Sequence, residues 1–383
     1  MKFQTEPLPK EALNPLGQTK THFKQLDGLR CIAVMAVLIC HWIHYRFVVL
    51  TPLGSMGVNL FFVLSGFLIT RILLLSKDEN KDIGMVSPIK RFYLRRIIRI
   101  FPIYYLTVLF LFVINFPAAR ENIVSLLTYT FNVNATWKPV GFLIHLWSLS
   151  VEEQFYILFP LFIFLIPKTK MKSFFYSMII IGVTSRLILH ILSAPDPSQY
   201  MLTPCCLDAF GIGSILAYYV LYDLAFLEII LKKNYLFLIA MALFIMDSIY
   251  IRLYVKNYYE GGTILERFLF SICCFWVVGK AILALYTGIV RKFLENKIIV
   301  FIGKISYGIY IYHLLVFPVL VNYLDPFLTE HLHIDNKYFL NPGFAQNNML
   351  PTALLLFIIT IAVSSLSWYL IERPINKLKE LLH

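Results

Sequence analysis

The chain has 383 residues, of which 59% are hydrophobic and only 15% charged, and its mean hydropathy is +0.72. This composition excludes an ordinary soluble globular domain and indicates a polytopic membrane protein. The formal net charge of +12 at pH 7 fits attraction to anionic lipid headgroups, and we find no nucleic-acid-binding motif that would explain it otherwise.

Membrane-spanning stretches are the first predicted elements along the chain. About 20 consecutive apolar residues are needed for a helix to cross a bilayer. The sequence therefore predicts an all-α fold of about ten transmembrane helices, and an apolar piece at 121–131 is too short to cross and is predicted to be re-entrant or interfacial. The ten predicted spans are residues 31–49, 54–75, 100–117, 147–166, 174–192, 204–222, 235–251, 264–290, 305–323 and 350–371.

The basic residues between the spans predict the orientation. If the N-terminus is cytoplasmic, the cytoplasmic segments carry 24 Lys and Arg and the opposite segments carry 6. Because positive charge accumulates on the cytoplasmic side, both termini are predicted to be cytoplasmic. We expect no cleaved signal peptide and one membrane domain at 26–375, preceded by a cytoplasmic segment at 1–25 and followed by a cytoplasmic tail at 376–383.

The stretch LDGLRCIAVMAVLICHW, residues 26–42, places Arg30 and His41 at the two ends of an apolar run. On a helix they are about 16 Å apart, so His41 is predicted to lie inside the membrane. A buried imidazole suits general-base work on a hydroxyl, although a packed, hydrogen-bonded histidine is the alternative. His41 and His44 share a helix face, but the sequence links no third ligand to them, so no metal site is predicted.

The segment HLWSLSVEEQFYILFP, residues 145–160, brings two adjacent carboxylates into the start of a span. Ser150 and Glu153 fit a capping box, in which Ser150 is the N-cap and Glu153 binds its amide. Glu152 has no such role, and its predicted depth matches that of His41. A pairing between Glu152 and His41 is therefore a hypothesis from the sequence.

The segment IKRFYLRRIIRIFPIYY, residues 89–105, contains the strongest basic cluster. Arg96 and Arg99 are spaced i and i+3, so they share a helix face and can hold phosphate groups by paired hydrogen bonds. An amphipathic anchor on anionic lipid is the equally weighted alternative.

Four further features complete the candidate set. The small residues of GVNLFFVLSGFLIT, residues 57–70, predict close helix packing. His313 and Asp208 are ionisable residues within predicted spans and are further candidates, because such residues are costly in a bilayer. The six cysteines, at positions 31, 40, 205, 206, 273 and 274, lack metal-ligand spacing and are interpreted as apolar packing residues.

Taken together, the segments resemble the membrane acyltransferase-3 family, the bacterial O-acyltransferases of envelope polysaccharides and other acceptors. The resemblance covers almost the whole chain. It is carried, in family order, by LDGLRCIAVMAVLICHW with its Arg-x10-His spacing, GVNLFFVLSGFLIT, RRIIRIFP with its Arg-x-x-Arg, HLWSLSVEEQFY, CLDAFGIGSILA, ISYGIYIYHLLV and the terminal IERP.

The resemblance implies transfer of an acyl group, usually acetyl, from cytoplasmic acyl-CoA to a hydroxyl of a carbohydrate acceptor, in the inner (plasma) membrane and without a tightly bound cofactor. It implies catalytic roles for His41 and Glu152 and a donor-binding role for Arg30, Arg96 and Arg99. Asp27, Asp208 and His313 stay further candidates. Membrane lipid is an expected partner. Some family members carry a C-terminal hydrolase-like domain that is not found in this sequence, so we expect either a separate extracytoplasmic partner or direct transfer by the membrane domain.

Two other functions are compatible with the sequence. A transporter or flippase of an envelope glycan precursor also uses ionisable residues within the membrane, but it is expected to show an inverted repeat with broken helices, which the sequence does not reveal. A non-catalytic scaffold is the third functional hypothesis. The sequence leaves open the acceptor, the acyl group and the leaflet of final transfer.

Overall fold

A computed structural model describes residues 23–43, 51–79, 85–254, 262–320 and 349–378, and within these ranges the chain forms helices and no strands. His44 lies outside them. The helices, numbered in chain order, are α1 (Lys24–Trp42), α2 (Leu53–Glu79), α3 (Val86–Val113), α4 (Pro117–Glu121), α5 (Ile123–Leu127), α6 (Phe131–Trp137), α7 (Leu146–Leu165), α8 (Lys168–Ile191), α9 (Asp196–Met201), α10 (Leu207–Tyr222), α11 (Leu224–Lys232), α12 (Asn234–Tyr254), α13 (Gly262–Ile282), α14 (Gly288–Leu294), α15 (Lys297–Lys304), α16 (Ser306–Tyr312), α17 (Val316–Val319), α18 (Met349–Ser367) and α19 (Arg373–Lys377).

Eight helical segments of the described chain are long and apolar enough to cross a membrane, which confirms the predicted all-α polytopic fold. They are Lys24–Trp42, Leu53–Glu79, Val86–Val113, Gly141–Leu165, Lys168–Ile191, Thr203–Tyr222, Asn234–Leu253 and Pro351–Lys377. The orientation of the termini stays a prediction.

The two remaining predicted spans have a different character. The stretch 264–290 contains α13, a 21-residue helix that carries Glu266, Arg267 and Lys280 and is not among the eight. The stretch 305–323 is divided in its described part into α16 and α17, and a turn at 313–315 separates them. That break places His313 at the end of a helix rather than in the middle of one.

The short apolar piece at 121–131 contributes to α4, α5 and α6. None of these helices exceeds seven residues, so none can cross a bilayer, as the sequence predicts.

The centre of the fold is α2, which packs against α1 on one side and α10 on the other. Its contact with α10 depends on two glycines. A Cβ at Gly213 would lie 2.1 Å from the Val63 carbonyl oxygen, and a Cβ at Gly66 would lie 2.3 Å from that of Phe210. Neither position has room for a side chain, so the backbones approach closely, which confirms the packing role predicted for the small residues of 57–70.

The first turns of α1 are held by a similar close approach. A Cβ at Gly303 of α15 would lie 1.9 Å from the Asp27 carbonyl oxygen, and a Cβ at Gly28 would lie 2.5 Å from that of Leu294. The end of α1 that carries Arg30 is therefore fixed against α14 and α15.

Candidate active site

A cavity lies between α1, α2, α3, α7 and α16, and its empty volume, including its opening, is ≈ 840 Å³. Five of its lining residues are charged, although it lies among predicted membrane spans. The charged lining residues are Arg30, Arg96, Arg99, Glu152 and Glu153, and the polar uncharged ones are Ser65, Ser148, Tyr156, Ser306, Tyr307 and Tyr310. Concave sites with a few convergent polar groups are typical of small-molecule binding.

The three arginines reach the cavity from two helices. Arg96 and Arg99 share a face of α3, as their spacing predicts, and the Arg96 guanidinium lies 5.4 Å from the centre of the Tyr156 ring. Arg30 comes from α1 and forms an ion pair with Asp27 at 3.1 Å, so Asp27 orients the Arg30 guanidinium. The structure therefore brings together the three arginines that the sequence singles out.

Arg99 is solvent-exposed, whereas Arg96 and Arg30 are partly buried. The arginines thus run from an exposed position into the cavity. Guanidinium groups arranged in this way can bind several phosphates of one ligand, because each presents paired donors.

Glu152 is held by a short chain of hydroxyl groups. The Tyr156 hydroxyl donates to Ser65 Oγ at 3.0 Å, and Ser65 donates to Glu152 Oε1 at 2.8 Å. Sequence reasoning interpreted Ser65 only as a small packing residue, because hydrophobicity and size say nothing about which distant carboxylate a serine contacts.

The predicted capping box is wrong. Helix α7 begins at Leu146 with His145 as its N-cap residue, so Ser150 lies inside the helix and donates to the Leu146 carbonyl at 3.4 Å. Glu153 is buried and lines the cavity beside Glu152. The prediction failed because the short 3₁₀ turn Gly141–Leu143 starts the helical segment earlier than the serine suggests.

A cluster of three histidines lies next to the cavity. His41 Nδ1 lies 3.0 Å from His313 Nε2, and the His145 ring centre lies 4.8 Å from that of His313. His41 is half-buried, while His145 and His313 are buried. The cluster joins the end of α1 to the start of α7 and the end of α16.

The predicted pairing of His41 with Glu152 is replaced by the contact of His41 with His313. His145 is the residue of α7 that lies beside the histidine pair. Glu152 follows it by seven residues, or about 10 Å along a helix. The two candidates therefore belong to adjoining regions of one site.

Tyr310 and Ser148 connect the cavity to the histidines. Both line the cavity, and their hydroxyl oxygens are 2.6 Å apart. The Tyr310 hydroxyl also donates to the His145 carbonyl at 3.1 Å, and the Tyr310 carbonyl lies 2.7 Å from His313 Nδ1. A single layer of side chains thus separates the cavity from the histidine cluster.

Asp208 lies elsewhere. It pairs with Arg186 through two hydrogen bonds of 2.7 and 3.0 Å, and both side chains are fully buried between α8 and α10. Asp208 is not among the residues that line the cavity. Its geometry is that of a structural ion pair between two helices.

Within the described residues no group of three or more His, Cys, Asp or Glu side chains is arranged to hold a metal ion. The histidine cluster illustrates the reason, because the ring nitrogens of His145 lie against the Ile311 and Phe142 carbonyls and those of His313 against Tyr310 and His41. The six cysteines are free thiols, and five of them are buried.

Sequence reasoning did not single out His145 or Tyr310. The only available signal for His145 was its position at the head of the 145–160 segment, directly before an apolar run. For Tyr310 it was the dense set of tyrosines in ISYGIYIYHLLV, which is also typical of a membrane-interface belt.

Residues 23–369 match the model of a family described as an acyltransferase domain, Acyl_transf_3. The chain belongs to the acyltransferase-3 family. It is 27% identical over 92% of its length to a Staphylococcus aureus (strain COL) protein whose name assigns it provisionally as an O-acetyltransferase. It is 25% identical, over the same share, to O-acetyltransferase OatA of S. aureus (strain NCTC 8325 / PS 47).

The chain spans a little over half the length of these relatives, since the matches cover 57% of each. No solved structure matches the chain. Membership of the family is therefore supported by the sequence match, and the arrangement of the site is supported by the contacts described above.

Proposed function

We propose that this protein is an integral-membrane O-acyltransferase of the plasma membrane, which moves an acyl group, acetyl in the first instance, from cytoplasmic acyl-CoA to a hydroxyl of an envelope polysaccharide or similar carbohydrate. The observation that carries the proposal is the arginine-lined cavity that adjoins the His41–His313 pair. The O-acetyltransferase names of the relatives support the reaction class.

In this proposal Arg30, Arg96 and Arg99 bind the phosphates of the donor at the cavity mouth. The pantetheine arm then extends along the cavity toward Ser148 and Tyr310, and displacement of this layer of side chains on donor binding brings the thioester to the histidine cluster. Arg30 and His41 are about 16 Å apart along α1, and the extended donor arm spans this distance between the bound phosphates and the base. Burial of the arm among apolar side chains excludes water from the thioester.

His41 acts as the general base. It takes the proton of the acceptor hydroxyl while the hydroxyl oxygen attacks the thioester carbonyl; a C–O bond forms, the C–S bond breaks, and the proton passes to the departing thiolate. Alternatively, His41 accepts the acyl group itself and then passes it to the acceptor. Both routes use an unprotonated ring nitrogen of His41. Glu152, fixed by Ser65, balances the charge of the arginines in the cavity.

The proposal is tested by replacing His41 in protein reconstituted in vesicles and measuring acyl transfer from acetyl-CoA. His41→Gln and His41→Ala should both lose about 10²- to 10⁴-fold in turnover, because an amide cannot take the proton. His190→Gln, at an exposed position on α8, is the matched control and should retain activity. If His41→Gln is present at the wild-type level and keeps most of the transfer, His41 is not the base and the mechanism fails.

A transporter or flippase remains the competing hypothesis. No observation in the described ranges favours it specifically. Comparison of envelope glycan from a deletion strain and its parent separates the two, because loss of a modification removes the mass of one acetyl group from each modified sugar. Loss of the glycan itself from the surface would instead support transport.

A further inference from the structure

His313 has a fixed hydrogen-bonding partner on each side of its ring. Its Nδ1 lies 2.7 Å from the Tyr310 carbonyl oxygen and its Nε2 lies 3.0 Å from His41 Nδ1. The side chain is completely buried, and its backbone amide also donates to the Ile309 carbonyl at 3.0 Å. His313 is therefore held in place from both ring nitrogens and from the main chain.

These contacts determine which nitrogens carry protons. A carbonyl oxygen can only accept a hydrogen bond, so the proton of His313 must be on Nδ1. In the neutral ring Nε2 is then an acceptor, and His41 must donate to it from its own Nδ1. A neutral His41 then carries a lone pair and no proton on its remaining ring nitrogen, Nε2.

The neutral form of His313 follows from its surroundings. The side chains that face it are the rings of His41, Trp42, His145 and Tyr310, and no carboxylate is among its described contacts. A buried imidazolium without a counter-ion carries a large desolvation penalty, so the neutral ring is favoured.

The position of His313 at the end of α16 makes this arrangement possible. The last carbonyls of a helix lack intrahelical donors, and Tyr310 is in the last turn of α16, three residues before His313. The break between α16 and α17 thus supplies the carbonyl that fixes the His313 tautomer. An unbroken helix would have bonded that carbonyl to its own backbone.

We propose that His313 is a positioning residue that holds His41 in the tautomer with an unprotonated Nε2, the nitrogen that takes the proton or the acyl group. This inference rests on the proposed function for its catalytic meaning, but the tautomer itself does not. The partner of His41 is thus a neutral imidazole backed by a backbone carbonyl, where a serine-hydrolase triad would have a carboxylate. It orients the base without fixing it in the charged form.

The first test measures the tautomer directly, with neither donor nor acceptor present. The full protein, labelled with ¹⁵N-histidine and placed in lipid nanodiscs, should show a His41 resonance whose Nδ1 is protonated and whose Nε2 is not; the assignment comes from the signal lost in His41→Gln. In His313→Leu the His41 signal should change to a mixture of tautomers. A wild-type His41 that carries its proton on Nε2 would overturn the inference.

The second test compares His313→Gln with His313→Leu in acyl transfer. Glutamine keeps an acceptor for His41 and a donor for Tyr310, so it should retain much of the activity, whereas leucine should lower turnover by roughly ten- to a hundredfold with little change in donor KM. Glutamine is therefore expected to be tolerated at 313 and inactive at 41.

The outcomes distinguish the two proposals. If His41→Gln is inactive while His313→Leu leaves both turnover and the His41 tautomer unchanged, the acyltransferase mechanism stands and the role of His313 is rejected. If the His41 tautomer is as inferred but no acyl transfer occurs, the role of His313 in holding that tautomer stands and the acyltransferase mechanism is rejected. If His313→Leu does not fold, His313→Gln still tests the inference. A folded His313→Gln in which His41 is a mixture of tautomers would reject it.

Discussion

The buried Arg186–Asp208 pair and the arginines of the cavity both lie within the membrane-spanning part of this protein, and they differ in how completely their hydrogen bonds are satisfied. Arg186 and Asp208 are both fully buried, and Arg186 also donates to the Cys205 and Ile264 carbonyls. The arginines of the cavity instead range from partly buried to exposed and face an open volume. The presence of a charge within the membrane therefore does not by itself distinguish a satisfied ion pair from a group that is available to a ligand.

The difference has an energetic cause. A buried ion pair with every donor satisfied holds two helices in one register, and removal of one partner leaves an uncompensated charge. A partly hydrated arginine at a cavity wall keeps donors available for a ligand and contributes little to folding. Mutation should therefore affect stability in the first group and donor use in the second.

The largest expected effect of mutation is on the stability contributed by the buried Arg186–Asp208 pair. Asp208→Leu alone should destabilise the protein by about 3–5 kcal/mol, because the Arg186 guanidinium loses its counter-ion. The double variant Arg186→Met/Asp208→Leu should recover part of that loss, and a double-mutant cycle on thermal unfolding in detergent measures the coupling.

Arg291→Met is the matched control, since the Arg291–Glu295 pair is surface-exposed and such pairs are worth about 0–1 kcal/mol. If Asp208→Leu is as stable as Arg291→Met, the buried pair does not hold α8 and α10 together.

The next effect in size is expected at the cavity arginines. Arg96→Ala and Arg99→Ala should each raise the apparent KM for acyl-CoA about ten- to a hundredfold, since each loses a charge-assisted contact worth roughly 1.5–3 kcal/mol. The fraction of folded protein should not change. Lysine should rescue only partly, because it lacks the planar pair of donors.

Arg91→Ala provides the control for this series. Arg91 is exposed on the same helix and is not among the residues that line the cavity. Equal loss in Arg91→Ala, or full rescue by lysine at 96 and 99, would favour an electrostatic anchor on anionic lipid.

A smaller effect should separate positioning from charge within the cavity. Ser65→Ala removes the hydroxyl that donates to Glu152, so kcat/KM should fall roughly two- to twelvefold, the range given by about 0.5–1.5 kcal/mol for one hydrogen bond. Ser55 lies on the same helix as Ser65, and Ser55→Ala, which removes a hydrogen bond to the Pro52 carbonyl, should leave transfer unchanged. Equal rates for the two variants would argue against a role for the Ser65–Glu152 contact.

The sequence predicted the polytopic helical fold and singled out several residues that line the cavity. Hydropathy located the long helices because the bilayer imposes one length on every span. The family resemblance, with the i and i+3 spacing of Arg96 and Arg99, selected Arg30, Arg96 and Arg99, which the structure brings to one cavity. The cost of charge within a bilayer selected Asp208, because cost alone does not distinguish a structural ion pair from a reactive group.

The partners of the selected residues could not be predicted. His41 contacts a histidine 272 positions away, and Glu152 contacts a serine 87 positions away, so both pairings depend on how the helices pack. Periodicity places residues on a helix face but does not specify which face of another helix lies opposite. The break after α16 was missed for a related reason, since an apolar run gives no sign of where its hydrogen bonds end.

The smallest expected effect is on the stability contributed by a charged residue near the surface. Glu295 accepts a hydrogen bond from Gln25 at 2.7 Å and so links the end of α14 to α1. That bond, followed by the contact with Arg291, holds the pKa of the Glu295 carboxyl below its ordinary value of 4.5. A carboxyl whose pKa is lowered in the folded state adds stability above pH 4.5, and that stability is lost as the pH falls through the lowered folded pKa. Glu295→Gln should therefore be slightly less stable than wild type at pH 7, and the gap between their thermal midpoints should close on acidification. A gap that is constant from pH 7 to pH 3 would show that ionised Glu295 does not stabilise the contact between α14 and α1.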